Sequence, residues 1–203
     1  MPVTTEHQPS DRTTVTPPWA RDATPAELGR LFPVELREPN PDYPQWYAEV
    51  ATRLTDLLGD RVVRTSHIGS TSVPDLVAKP IVDILLELDP AADPGTVVEA
   101  LTTRGWMLMA RTTTPSLRLD LAQGYTPTGL AERAFHLHVV HPGDHDELRF
   151  RDWLRDHPDT QADYAALKRD LAQRYRHDRD AYTKAKTTFV RTVVRRARSR
   201  PAS

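Results

Sequence analysis

From residue 45 to about 58 the apolar side chains Trp46, Val50, Leu54, Leu57 and Leu58 recur at spacings of three and four, which predicts a helix with one buried face. Gly59-Asp60 stops it, and the β-branched run over 61–66 predicts a strand. Ile81-Val-Asp-Ile-Leu-Leu-Glu-Leu88 is the strongest strand pattern in the chain. Side chains two apart on a strand share a face, so Asp83, Leu85 and Glu87 fall on one side. Upstream, 25–29 predicts a turn of helix, and 31–37 reads as an extended first strand, with Pro33 favouring a sheet edge. Downstream, 95–103 reads as helix and 106–109 and 117–121 as strands, with loops over 111–115 and 123–129. Residues 134–140 alternate cleanly, placing His136 and His138 on one strand face and Phe135, Leu137 and Val139 on the other.

Beyond Pro142-Gly143 the strand signals cease. Residues 144–156, 160–177 and 179–198 are charged and helically spaced around Leu148, Trp153, Tyr164, Leu167, Leu171, Tyr182, Phe189 and Val193. The pattern predicts an α/β (α+β) protein: a tail over 1–24, an α/β core over 25–143, and C-terminal helices over 144–203 packed on that core. The tail assignment follows from its Thr, Pro, Asp and Arg content, which offers little apolar surface to offset the entropy of ordering.

Composition narrows the chemistry. The chain has 203 residues and a net charge of −1, with no global attraction for nucleic acid or an anionic membrane, so any phosphate binding must be local. It has no cysteine, which excludes disulfides, thiolate metal sites and a cysteine nucleophile. No apolar stretch reaches the roughly 20 residues that cross a bilayer, and a cytoplasmic location is the expectation.

The candidate chemistry centres on residues 67–88. Gly69-Ser70 forms a turn whose backbone can approach an anion and whose N–H and hydroxyl groups can bind it. Lys79 lies close by in sequence as a further phosphate contact, and His67 flanks the turn as a ligand contact or a brace. Asp83, set among Ile, Val and Leu, must be paired or bind a metal if buried. His136 and His138 share a strand face and are able to ligate a metal, act as a base or bind phosphate when protonated. Arg149 and Arg151 sit at a helix start, where guanidinium groups can reach phosphate or pair with neighbouring acids. The basic end, Arg191 to Arg200, lacks the interleaved aromatics that stack bases, and a nucleic-acid partner is not expected.

Taken together and in order, His67-Ile-Gly-Ser-Thr-Ser-Val-Pro, Lys79-Pro-Ile-Val-Asp83, Phe135-His-Leu-His-Val-Val140, Leu148-Arg-Phe-Arg-Asp-Trp-Leu-Arg155, Tyr164-Ala-Ala-Leu-Lys168 and Tyr182-Thr-Lys-Ala-Lys186 resemble the GrpB family. That resemblance implies a nucleotidyltransferase-like mixed β-sheet with flanking helices, of the polymerase beta type. It implies ATP or another nucleoside triphosphate as substrate, Mg²⁺ or Mn²⁺ as cofactor, and transfer of a nucleotidyl group to a small-molecule acceptor, or adenylation before ligation. It places phosphate-binding cations at Lys168 and Lys186. In such enzymes the strand after the Gly-Ser turn reads acid-apolar-acid, because two metals clamp the attacking and leaving oxygens. Here Asp83 occupies the first position and Leu85 the second. Glu87 is able to substitute only if the strand is locally shifted, and the third acid's strand is expected at 134–140, with His136 or His138 in its place. The other reading is a nucleotide- or coenzyme-binding regulatory module without chemistry of its own.

Overall fold

The computed structural model describes residues 11–15 and 18–199. Its frame is a mixed sheet of six strands: β1 (Thr13–Thr14), β2 (Val62–Ile68), β3 (Ile81–Leu88), β4 (Met107–Thr112), β5 (Arg118–Thr126) and β6 (Gly129–Val140). They are ordered β1-β4-β5-β6-β3-β2. Only the central pair, β3 and β6, is parallel; every other neighbour is antiparallel.

Strand alternation gives the sheet two different faces. Val82, Ile84, Leu86 and Leu88 of β3 join Leu119, Leu121, Leu137 and Val139 in the main core. Helices α2 (Tyr43–Leu58) and α3 (Pro94–Thr102) cover this face, with Trp46, Val50, Leu54, Val97 and Leu101 pointing into the core. Pro at the first turns and the Asp93 side chain accepting from Thr96 N–H start these helices cleanly. The other face carries Asp83, Leu85 and Glu87 and is roofed by α4 (Asp146–Asp156), α5 (Pro158–Arg174) and α6 (Arg179–Ser199). Leu154 and Tyr164 of these helices pack on Val73 and Leu76, just past the Gly-Ser turn.

The mixed sheet, its flanking helices and the C-terminal helical part are those the sequence predicts. Three local readings differ. Residues 31–37 do not form a strand: Leu31 ends the short helix α1 (Pro25–Leu31), and a single antiparallel bridge joins Arg37 to Ala78. Their apolar alternation serves packing instead, burying Phe32 and Val34, the latter against Leu171 and Tyr182. Residues 123–129 are the arms and turn of a hairpin, since β5 runs on to Thr126 and β6 begins at Gly129. Gly124, at φ +86°, sits where the register shifts, so its turn-like composition marks a bulge. β4 likewise continues through Arg111 and Thr112.

Of the expected tail, residues 1–10, 16 and 17 lie outside the described residues. Within the remainder, β1 pairs with β4, Asp11 accepts hydrogen bonds from the N–H groups of Thr113 and Thr114 at 2.8 and 3.0 Å, and Trp19 lies 5.8 Å from the Phe32 ring. Among the described residues no helix is long and apolar enough to cross a membrane.

Candidate functional site

β2 delivers the chain to the Gly69-Ser70 turn directly above β3. Gly69 has φ +70° and ψ −171°, a region open essentially only to glycine. A Cβ there would stand 2.2 Å from Asp83 Oδ2, so the absent side chain is what lets the turn touch the carboxylate. The Ser72 hydroxyl closes the turn onto Gly69 O at 2.6 Å. His67 is buried, stacked on Tyr47 with ring centroids 5.0 Å apart and bonded through Nε2 to the Thr71 hydroxyl at 3.0 Å. Burial lowers its pKa to about 4, so it is a neutral brace beneath the turn.

Asp83 meets two imidazoles because β6 lies parallel to β3, with His136 opposite Asp83 and His138 opposite Leu85 in register. His136 Nδ1 is 3.0 Å from Asp83 Oδ1, and His138 Nε2 is 3.9 Å from the same oxygen. Behind them stand groups on neighbouring elements. His138 Nδ1 donates to Asp120 Oδ1 of β5 at 2.8 Å. Arg118 Nη2 also lies 3.3 Å from that nitrogen, but a guanidinium only donates, so the shorter contact to the carboxylate fixes Nδ1 as the protonated atom. Arg118 and Arg12 hold Asp120 in turn, at 3.1 and 3.0 Å. The Tyr125 hydroxyl lies 2.7 Å from His136 Nε2 and accepts from Arg179 at 2.7 Å, leaving its own proton for the imidazole.

These contacts outweigh burial at Asp83 and His138. Burial alone would raise Asp83, yet hydrogen bonds and charge from His136 and His138 hold it well below the usual carboxylate range. Burial alone would lower His138, yet its hydrogen bond to Asp120 and the attraction of Asp83 raise it to about 9. Burial dominates at His136, which is lowered. The carboxylate is therefore ionised, its charge shared with the two imidazoles.

One ligand atom each from Asp83, His136 and His138 lies within 4.8 Å of the others, a spacing that admits a metal ion. Asp120 supports the fit, because a ligating histidine characteristically gives its other N–H to a carboxylate. Two imidazoles with one carboxylate suit transition ions such as Fe²⁺ or Zn²⁺ better than Mg²⁺, while the carboxylate also accepts Mn²⁺.

A set of cations rings the triad. Lys168, only 1% exposed, reaches from α5 to the Ser70 hydroxyl at 3.0 Å and to the Val77 carbonyl. Lys186 lies 4.2 Å over the Tyr182 ring, and Lys79 5.8 Å from the same ring. Burial, reinforced by neighbouring positive charges, lowers Lys79 and Lys168 to about 7 and Lys186 to about 8. Among the described residues no carboxylate is in salt-bridge contact with any of the three, and Asp83 is the acid whose charge acts on Lys79 and Lys186.

Three candidates stand apart from this constellation. Glu87 is buried at the far end of β3, where it takes Arg64, the Gly143 N–H at 3.1 Å and His145 at 3.2 Å; the strand is not shifted to bring it to Asp83. Arg149 forks onto Asp144 at 2.6 and 2.7 Å. Arg151 binds Asp152 and the His67 carbonyl at 2.9 Å, bracing the turn from outside. Leu85, where a second acid belongs, is packed with Ile68, Val140 and Leu148. A cleft of about 490 Å³ opens on the other face of the sheet beside Val50, Leu54 and Trp106, away from all of these groups.

Sequence reasoning missed Asp120, Tyr125 and Arg179. The strand over 117–121 alternates, which could have set Arg118 and Asp120 on one polar face, but could not have shown which strand that face would meet. Tyr125 was hidden because its stretch read as a loop.

The family model described as GrpB protein matches residues 33–196. A UPF0157 protein of Pseudomonas aeruginosa is 39% identical over 165 residues, which cover 81% of this chain and 67% of that one. A dephospho-CoA kinase of Mycolicibacterium paratuberculosis is 32% identical over 202 residues, covering 89% of this chain and 49% of the kinase. Among solved structures, that of the conserved protein GrpB from Enterococcus faecalis superposes with a TM-score of 0.70 at 28% identity, covering 80% of this chain and 96% of that one.

Proposed function

The chain belongs to the GrpB family, and on that premise we propose that it binds a nucleoside triphosphate with a divalent metal ion and transfers the nucleotidyl group to a small-molecule acceptor. The observation that carries this reading is the convergence of Asp83, His136 and His138 at the Gly69-Ser70 turn, with Lys79, Lys168 and Lys186 nearby and none of the three in a salt bridge among the described residues. Lys168 is buried and Lys79 and Lys186 are half-buried, and a cation withdrawn from water without a counter-charge is unfavourable. Three of them beside an ionised carboxylate describe a place for a polyanion and its counter-ion.

Asp83 Oδ1, His138 Nε2 and one nitrogen of His136 would hold the metal, which when bound neutralises charge on the phosphates and orients them for in-line displacement. Asp120 holds the proton on His138 Nδ1, so that the proton given up on metal binding would be the one on Nε2. The Ser70 hydroxyl and Lys168 would bind phosphate oxygens, and Lys79 and Lys186 would regain full charge against them. The acceptor's oxygen or nitrogen would form the bond to the α-phosphorus as the bond to pyrophosphate breaks. If the acceptor is a carboxylate, the same step yields an adenylate ready for ligation.

Leu85 favours a second reading. With its side chain 1% exposed and packed in the core, the second carboxylate of a two-metal site has no counterpart. A nucleotide- or coenzyme-binding module without chemistry fits that gap, and the dephospho-CoA kinase relative carries its similar region within a chain about twice as long. A thermal-shift titration separates the readings from failure of both: ATP with Mn²⁺ should raise the melting temperature of the wild type but not of Asp83→Ala. Pyrophosphate release with a candidate acceptor then indicates transfer, and binding without release indicates the module. No nucleotide-dependent shift in the wild type overturns both.

A further inference from the structure

A second cleft, of about 310 Å³, opens where α1, the segment 32–37, the start of β3 and the start of α6 meet. Four cations line it: Arg30, Arg37, Lys79 and Arg179. The one acid on its wall, Glu35, is engaged by Arg176 at 3.1 Å. None of the four cations forms a salt bridge among the described residues, though Glu27 lies near Arg30 and the charge of Asp83 acts on Lys79, and since the whole chain carries a net charge of −1 the excess is local. Apolar side chains, Phe32 and Leu130 among them, complete the lining.

The cleft is held by backbone contacts. The N–H of Arg37 donates to Ala78 O at 2.7 Å and the N–H of Ala78 returns the bond to Arg37 O at 3.0 Å, while the N–H of Val34 donates to Arg176 O at 2.7 Å. These bonds fix the segment carrying Phe32 and Arg37 against Lys79. Gly29 lets α1 come as close as it does, since a Cβ there would stand 2.0 Å from the His177 carbonyl oxygen. The cleft also adjoins the triad. Phe32 packs 5.0 Å from the Tyr125 ring, and Tyr125 bonds both Arg179 and His136. Ser70, Lys168 and Lys186 do not line it.

We propose that this cleft is the acceptor subsite, and that the acceptor is a small anion, a carboxylate or phosphate group carried on an apolar body. The guanidinium forks of Arg30 and Arg37 match the oxygens of either group, and a planar or hydrocarbon body suits Phe32 and Leu130. A cleft of this size stands at the small end of ligand pockets, which excludes a macromolecular chain as the buried portion. An acceptor held here would present its remaining end past Tyr125 and Arg179 toward Asp83. The word acceptor rests on the nucleotide reading of the triad; anion binding in the cleft does not.

Isothermal titration of the full chain with phenyl phosphate and, separately, phenylacetate tests this. At least one probe should bind, the tighter naming the class of anion. The double variant Arg30→Gln with Arg37→Gln should bind it about tenfold more weakly, the loss expected from removing charge-assisted contacts. Both side chains are exposed and form no salt bridge among the described residues, so the fold should be retained, as circular dichroism would verify. ATP with Mn²⁺ should bind the variant as it binds the wild type and should not displace the probe. Absence of binding by both probes, or equal binding to wild type and variant, overturns the site. A parallel loss of ATP, or displacement by it, overturns the acceptor assignment by placing nucleotide phosphates in the cleft. Probe binding that the variant loses, in a wild type that never binds ATP, sustains the anion site and overturns the nucleotide reading alone.

Discussion

Replacing Gly69 by alanine would introduce two separable faults. The first is conformational: φ +70° and ψ −171° lie in a region where a non-glycine residue costs about 1–3 kcal/mol. The second is steric, because the new Cβ would stand 2.2 Å from Asp83 Oδ2 and 2.9 Å from its Cγ. Either the turn lifts or the carboxylate swings away from His136, and overpacking of this kind adds about 1–3 kcal/mol. The expected loss is therefore roughly 2–6 kcal/mol in urea unfolding, with divalent-metal affinity lost alongside. Gly59 supplies the control. It has φ +59° and ψ −137°, yet a Cβ there meets nothing within 4 Å. Gly59→Ala should thus show the conformational cost alone, with metal binding intact. The difference between the two variants measures the clash. Equal stability losses together with undiminished metal binding in Gly69→Ala would refute the claim that the turn is built against Asp83.

Other substitutions probe the remaining parts. Lys168→Met should lower ATP affinity about tenfold while changing stability at neutral pH by less than about 2 kcal/mol, because a buried charge is lost as the Val77 carbonyl is left unbonded. Lys168 also predicts a pH dependence: its folded pKa, near 7, is below the unfolded 10.5, so the unfolded chain binds more protons between these values and stability rises with pH across that window. Denaturant melts from pH 7 upward should show that rise in the wild type and a shallower one in Lys168→Met. Leu85→Asp should destabilise by about 3 kcal/mol or more in urea, without improving metal affinity, since it buries a charge among Ile68, Val140 and Leu148. Asp120→Asn should weaken divalent-metal binding by about 10–100-fold in a calorimetric titration and leave the fold intact, the effect expected of a group that orients a ligating imidazole.

The helices, β2, β3 and the pairing of His136 with His138 were legible because each follows from a local period that the structure keeps. Asp83 was legible for a different reason: an acid inside an apolar strand needs a partner, and the structure supplies two imidazoles. What escaped were features set by non-local contacts. Phe32 and Val34 alternate like a strand, yet their partners are the Tyr125 ring and the residues Leu171 and Tyr182 of the C-terminal helices, which the local pattern cannot reveal. Gly124 and Thr126 read as loop, yet the bulge lets β5 carry Tyr125 to His136. Asp120 was visible as a polar strand residue, but its role depends on β5 lying beside β6, a matter of sheet order. Glu87 shares a strand face with Asp83 as parity requires, and is drawn to Arg64 and His145 by its place at the strand's other end.

The reading depends above all on Asp83 and the two histidines holding a metal at the phosphate turn. Pulsed electron paramagnetic resonance of Mn²⁺ bound in the presence of ATP tests that contact at atomic range. The wild type should show couplings from imidazole nitrogen together with phosphorus, the nitrogen signal should diminish in His138→Ala, and Asp83→Ala should bind no Mn²⁺ at the site. Mn²⁺ whose spectrum shows no nitrogen coupling, or is unchanged by either substitution, would contradict the account.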